Sequence, residues 1–205
     1  MNRKEEIIFA TLELASESGL GNVSMSQIAD KVGIRKPSLY NHFKSKEDIL
    51  SAMYDFLREK SKQQLSFADI DYSEFIENKS LEEALSQSVQ NYSKLTTENK
   101  MLSFYKVIYS ERAINPTATK IIMAETKRMI SATKNLFYAL QIHKKLFVQD
   151  IDTAATSFAM AIHAMIDYQI DGLISGESVP QDLIQKYIKW FCNQFGGINN
   201  EKNSD

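Results

Sequence analysis

The sequence predicts an all-α protein: an N-terminal three-helix head containing a helix-turn-helix, followed by a longer helical body, about nine helices in all. Three observations carry that prediction. Apolar residues recur at helical spacing through most of the 205 residues, while alternating β-branched runs and Asn-Gly turns are missing. Only three prolines and seven glycines interrupt the chain. The stretch from Ser24 to Lys46 reads as two short helices separated by a glycine. The expected division is a head over 1–46, a helical body over 47–197, and a polar, frayed tail over 198–205.

Taken in order, residues 3–18 form the first helix. Ile7, Ala10, Thr11, Leu14 and Ala15 line one face, Glu5, Glu6, Glu13 and Glu17 stay in water, and Gly19 stops it. Ser24 caps the second helix and Gln27 completes a capping box. Ile28, Ala29 and Val32 give that helix its buried face, and Gly33 supplies the turn at no steric cost. Pro37 suits the first turn of a third helix, which Leu39 and Phe43 anchor. Ser45 caps a fourth helix running towards residue 64, with Ile49, Leu50, Met53, Phe56 and Leu57 as its apolar set. Residues 65–79 are acidic and read as a connection. Ser80 and Glu83 form another capping box for a helix to about Leu95. Further helices are expected over 98–112, from Asn115-Pro116 to about Leu140, from Asp150 or Asp152 to Gly176, and from Val179-Pro180 to Gly196.

The third helix also has an outward face. With Leu39 and Phe43 inward, Pro37 and Asn41 point most directly away, and Ser38 and Tyr40 lie on the flanks. A ring, an amide, a hydroxyl and a phenol suit base methyls, base edges and phosphates in a major groove. Between Lys31 and Lys46 there are five cations (Lys31, Arg35, Lys36, Lys44 and Lys46), His42, and no Asp or Glu, in a chain of formal charge −2. A local cationic patch of this kind is what attraction to a phosphate backbone needs.

The stretch MSQIADKVGIRKPSLYNHFKSKEDIL resembles the DNA-binding domain of tetracycline-repressor-type (TetR family) transcriptional regulators. The likeness runs from about Ile7 to Leu50 and rests on Ile28-Ala29, Gly33-Ile34, Leu39-Tyr40, His42-Phe43 and Lys46-Glu47 in order. It implies that Tyr40, His42 and Lys46 hold DNA phosphates. Lys36, Pro37, Ser38 and Asn41 are the candidates for reading bases, with Asn41 able to pair bidentately with adenine. Ser24, Ser26 and Arg35 complete the candidate DNA-contacting set. Beyond residue 50 the resemblance is architectural only. It implies a double-stranded operator, a homodimer, and a small-molecule inducer bound in the C-terminal helices.

For that inducer, the large adaptable side chains Met101, Phe104, Tyr105, Ile108, Tyr109, Met123, Phe137 and Phe158, with His163 and Asp167, are the candidate pocket; each of the large side chains alone reads more readily as core. A dimer face is expected from the small-residue stripe Ala155, Ala159 and Ile162, together with Leu183, Tyr187, Trp190 and Phe191 on a last helix that is apolar over more than half its circumference. His163, Asp167 and Asp171 share a face, read as a polar stripe rather than a metal site. No cofactor is expected. An enzyme is disfavoured: no nucleophile elbow, P-loop or dinucleotide fingerprint occurs, and Cys192, the single cysteine, sits in an apolar helix. With 43% apolar and 24% charged residues, no apolar signal core at MNRKEEII and no membrane span, the expectation is a cytoplasmic globular protein with no membrane partner. The rival reading is a helical protein-interaction module without specific DNA binding.

Overall fold

The computed structural model describes residues 2–65, 71–97 and 99–197. These form α1 (Arg3–Ser18), a 3₁₀ turn (Leu20–Asn22), α2 (Met25–Val32), α3 (Lys36–Tyr40), α4 (Lys46–Leu65), α5 (Tyr72–Ile76), α6 (Leu81–Thr97), α7 (Asn99–Glu111), α8 (Pro116–Ile142), α9 (Ile151–Ser175) and α10 (Leu183–Phe195). No strand occurs among the described residues, which hold ten α-helices rather than nine. The expected tail, 198–205, lies outside them. No described helix is long and apolar enough to cross a membrane.

The extra helix is α5, inside the stretch expected to be a connection. Its acidic residues obscured a cap: the Asp71 carboxylate accepts the N–H groups of Ser73 and Glu74 at 2.8 and 3.3 Å. Ile76 is fully buried. The Lys145 ammonium then collects the carbonyls of Ile76, Glu77 and Lys79 at 2.5, 3.0 and 2.7 Å, taking up oxygens that a helix end leaves unpaired. The other shift is at α10, which starts at Leu183 rather than at Val179-Pro180. The Leu183 N–H closes a turn on the Pro180 carbonyl, and Val179 is buried against Gly172, where a Cβ would lie 2.3 Å from its Cγ2.

Contacts group the described residues into two units that interleave along the chain. One draws on Met1–Ala68 and Lys94–Thr126, the other on Asp69–Ser93 and Lys127–Asp205. This grouping does not follow chain order across residue 46. In the first unit, α1 to α3 share one apolar cluster with Ile49, Leu50, Met53, Tyr54 and Leu57 of α4 and Met101, Phe104, Val107 and Ile108 of α7. α4 and α7 therefore belong to the packing of the head. The second unit closes on Leu85, Leu136, Phe137, Leu140, Phe158, Ile162, Ile188 and Phe191. Its aromatic centre has Phe137 5.5 Å from Phe158 and 5.6 Å from Phe191, ring centre to ring centre.

Candidate nucleic-acid interface

The helix-turn-helix is built by local rules. Ser24 Oγ accepts the Gln27 N–H at 3.2 Å, and Gln27 Oε1 accepts the Ser24 N–H at 2.8 Å, a reciprocal capping box. Gly33, at φ 72° and ψ 34°, takes the left-handed cap conformation that ends α2. α3 has Pro37 in its first turn and only five residues. Helical bonding continues past its end, with the His42 and Phe43 N–H groups reaching the Leu39 carbonyl at 2.9 and 3.0 Å. Leu39 is fully buried and Phe43 nearly so, which orients the rest. Lys36, Pro37, Tyr40 and Asn41 are exposed, and Ser38 and His42 are half-buried. The outward face therefore has the composition derived from the helical wheel. Ser24 is exposed at the start of α2 and Ser26 half-buried one residue into it.

The five cations are not equivalent. The Lys31 ammonium pairs with Glu13 of α1 at 2.6 Å, and this bond holds its pKa above the ordinary lysine value. The Lys46 ammonium donates to the Leu20 carbonyl at 2.8 Å and the Gly21 carbonyl at 3.4 Å, so it is engaged with the 3₁₀ turn where the resemblance implied a phosphate. Among the described residues Arg35, Lys36 and Lys44 have no carboxylate partner. The fold adds a cation from outside the Lys31–Lys46 stretch: Lys4 Nζ of α1 lies 5.9 Å from the centre of the Phe43 ring. Nothing in the local sequence around Lys4 marks it, because the contact depends on how α1 crosses the turn after α3.

The remaining candidates disperse. Met101, Phe104 and Ile108 are buried in the first unit, with Tyr105 and Tyr109 half-buried beside them and Met123 exposed. There the Glu125 carboxylate, itself buried, accepts the Tyr54 hydroxyl at 2.7 Å and the Tyr105 hydroxyl at 3.1 Å. Phe137, Phe158, His163 and Asp167 belong to the second unit. His163 Nδ1 lies 3.2 Å from the Tyr92 hydroxyl, and its Nε2 lies 3.7 Å from Asp167. Of the expected dimer stripe, Ala155, Ala159 and Ile162 are buried within the chain, as is Phe191. Ala155, Ile162 and Phe191 share an apolar cluster with Phe158, and Ala159 is buried as well. Leu183 and Tyr187 are half-buried, and Trp190 is 52% exposed with its ring stacked on Tyr187 at 5.7 Å. Burial pushes the Cys192 thiol up to about 11, which leaves little thiolate near neutral pH.

Family comparison agrees with this geometry. The model described as bacterial regulatory proteins, tetR family, matches residues 7–53, and that of the AefR-like transcriptional repressor C-terminal domain matches residues 83–189, more than half of the chain. The chain belongs to the TetR family. TetR-family regulators are DNA-binding transcription factors and not enzymes. Among relatives, the class D tetracycline repressor of Escherichia coli is 40% identical over 50 residues, a stretch covering 24% of this chain and 23% of the repressor. The regulator QacR of Staphylococcus aureus is 23% identical over 193 residues, 94% of this chain and 98% of QacR. The solved structure of the flavonoid-responsive regulator FrrA aligns with a TM-score of 0.66 at 20% identity, covering 94% of this chain and 96% of that one. The multidrug binding protein EbrR, complexed with imidazole, aligns at 0.62 with 11% identity, covering 93% and 95%. At these identities the structural matches speak for the TetR fold.

Proposed function

We propose that this chain is a homodimeric, cytoplasmic repressor whose two heads, centred on residues 1–46, grip a two-fold operator. A small, largely apolar molecule held among the helices of 47–197 releases it. The observation that carries the operator reading is the outward face of α3: Pro37, Tyr40 and Asn41 exposed, with Arg35, Lys36 and Lys44 around them and no carboxylate pairing those cations among the described residues. Arg35, Tyr40, His42 and Lys44 contact phosphates; Lys36, Pro37, Ser38 and Asn41 face base edges; Ser24 and Ser26 approach the backbone from α2. Lys46 belongs to the interface through the turn it holds. The names of FrrA and EbrR, one flavonoid-responsive and one multidrug-binding, support an aromatic or apolar effector. Release requires that the effector bind the DNA-incompetent arrangement more tightly than the competent one.

Selection of duplexes from a random pool tests the operator reading. The wild-type protein should enrich two related half-sites about one helical turn, roughly 34–36 Å, apart. Asn41→Ala should relax the preference at one position of each half-site, by about 1–3 kcal/mol for a lost bidentate pair. An unchanged preference would remove Asn41 from the base-reading set, and no enrichment by the wild type would overturn the reading itself.

For the dimer, the supporting surface is the exposed part of the second unit: Trp190 with Tyr187 and Leu183 on α10, and Met160 and Tyr168 on α9. An aromatic anchor such as Trp190 is the residue type that dominates interface energetics. Trp190→Asp should convert the dimer to monomer by sedimentation at micromolar concentration, with an unchanged helical circular-dichroism spectrum. A dimer that persists would move the interface elsewhere.

A further inference from the structure

The Leu20–Gly21 peptide is held at both ends by opposite charges. Its N–H, on Gly21, donates to Glu111 Oε1 at 3.2 Å. Its C=O, on Leu20, accepts from Lys46 Nζ at 2.8 Å. A peptide unit carries a dipole of about 3.5 D with its positive end at the N–H. The carboxylate sits at the positive end and the ammonium at the negative end, so both contacts are attractive and each charge favours the other across the peptide. The two side chains come from different helices. Glu111 is the last residue of α7, and Lys46 is the first of α4, immediately after the segment that carries α3.

Two further features give the arrangement weight. Glu111 is only 8% exposed, and among the described residues its carboxylate has no ion-pair partner, only this neutral N–H. Burying a carboxylate is costly unless its charge is used. The turn is otherwise well fixed: Leu20 is 2% exposed, and the Asn22 side-chain amide donates to the Ser18 carbonyl at 2.7 Å. Lys46 in turn begins the helix whose Asp48 carboxylate accepts the Lys44 N–H at 3.0 Å, which ties the chain just after α3.

We infer that Glu111 is a positioning residue for operator binding, acting through the Leu20–Gly21 peptide on Lys46 and so on the setting of α3. This rests on the operator reading above, and it assigns to α7 a part in DNA recognition without any contact to DNA.

The sign of the effect separates this role from plain electrostatics. Removing a negative charge from a head that binds polyanionic DNA strengthens binding by Coulomb attraction alone. Positioning predicts the opposite. On the duplex that the wild-type protein selects, Glu111→Ala should bind about tenfold more weakly, the loss expected for one charge-assisted bond. The salt slope should not change, because no phosphate contact is removed. Glu111→Gln, which keeps the acceptor oxygen, should stay within about threefold of wild type. Amide exchange of the full-length protein, read by NMR, supplies a second readout that needs no DNA. The Gly21 amide should exchange at least about tenfold faster in Glu111→Ala, with the amides of Ile28 and Leu39 unaffected. Unchanged or tighter operator binding by Glu111→Ala overturns the inference. So does acceleration of all three amides together, which would mark a general loss of stability. A wild-type protein that selects no duplex overturns the operator reading first, whatever Gly21 does.

Discussion

Arg35→Ala combined with Lys44→Ala will cut operator affinity by roughly a thousandfold at 0.1 M salt and flatten its salt dependence. Neither cation has a carboxylate partner among the described residues. Each neutralised phosphate contributes about 0.9 to the slope of log affinity against log salt. Two lost contacts per head, four per dimer, lower that slope by about 3.6. The informative control is Lys31→Ala. In the sequence Lys31 is one of five like cations; in the structure its ammonium is bound to Glu13 at 2.6 Å. Removing it leaves Glu13 without its partner and should change the slope by less than about 0.5. Titrations of all variants over a range of salt concentrations check both expectations. If Lys31→Ala flattens the slope as much as a single Arg35 or Lys44 substitution, the division of the cationic patch is wrong.

Phe137→Ala will lower the melting temperature by roughly 6–20 °C, from a loss of about 3–5 kcal/mol. Its side chain is fully buried between Phe158 and Phe191, at 5.5 and 5.6 Å. Truncation removes a ring from a centre whose neighbours are themselves interlocked, since Phe158 and Phe191 lie 4.9 Å apart edge to face. The site cannot easily collapse, so the cavity term adds to the lost burial. Helices α9 and α10 both lean on this centre, so the variant should also dimerise less well. A fall of less than about 2 °C would mean that Phe137 faces space able to take up other side chains, as a ligand pocket does.

Local chemistry made most of the fold readable. The Ser24 and Ser80 capping boxes, the Gly33 turn and the burial of Leu39 and Phe43 each depend on residues within a few positions of one another. The outward face of α3 followed from the same arithmetic. What the sequence did not display depends on contacts between residues far apart in the chain. Asp71 caps α5 locally, but its helix persists because Lys145, 69 residues beyond Ile76, gathers its terminal carbonyls. Ala155 and Ile162 have the composition of a helix-pairing stripe, and only the fold shows that they pack with Phe158 of their own helix and Phe191 of α10. Likewise Lys31, Lys44 and Lys46 look alike until Glu13 and the Leu20 carbonyl claim two of them. The apolar candidates for an effector site were ambiguous for a related reason: methionine and aromatic side chains serve a core and a pocket equally well.

In the proposed function the α3 face binds a specific duplex. The measurement that tests it most directly is equilibrium binding of the purified, full-length protein to its selected duplex at about 50 and 200 mM salt, with scrambled duplex as competitor. The expected result is binding that resists the competitor and weakens by roughly 10³–10⁵ between the two salt concentrations, as 6–10 phosphate contacts require. Binding that the scrambled duplex displaces equally well, or that ignores salt, would contradict it.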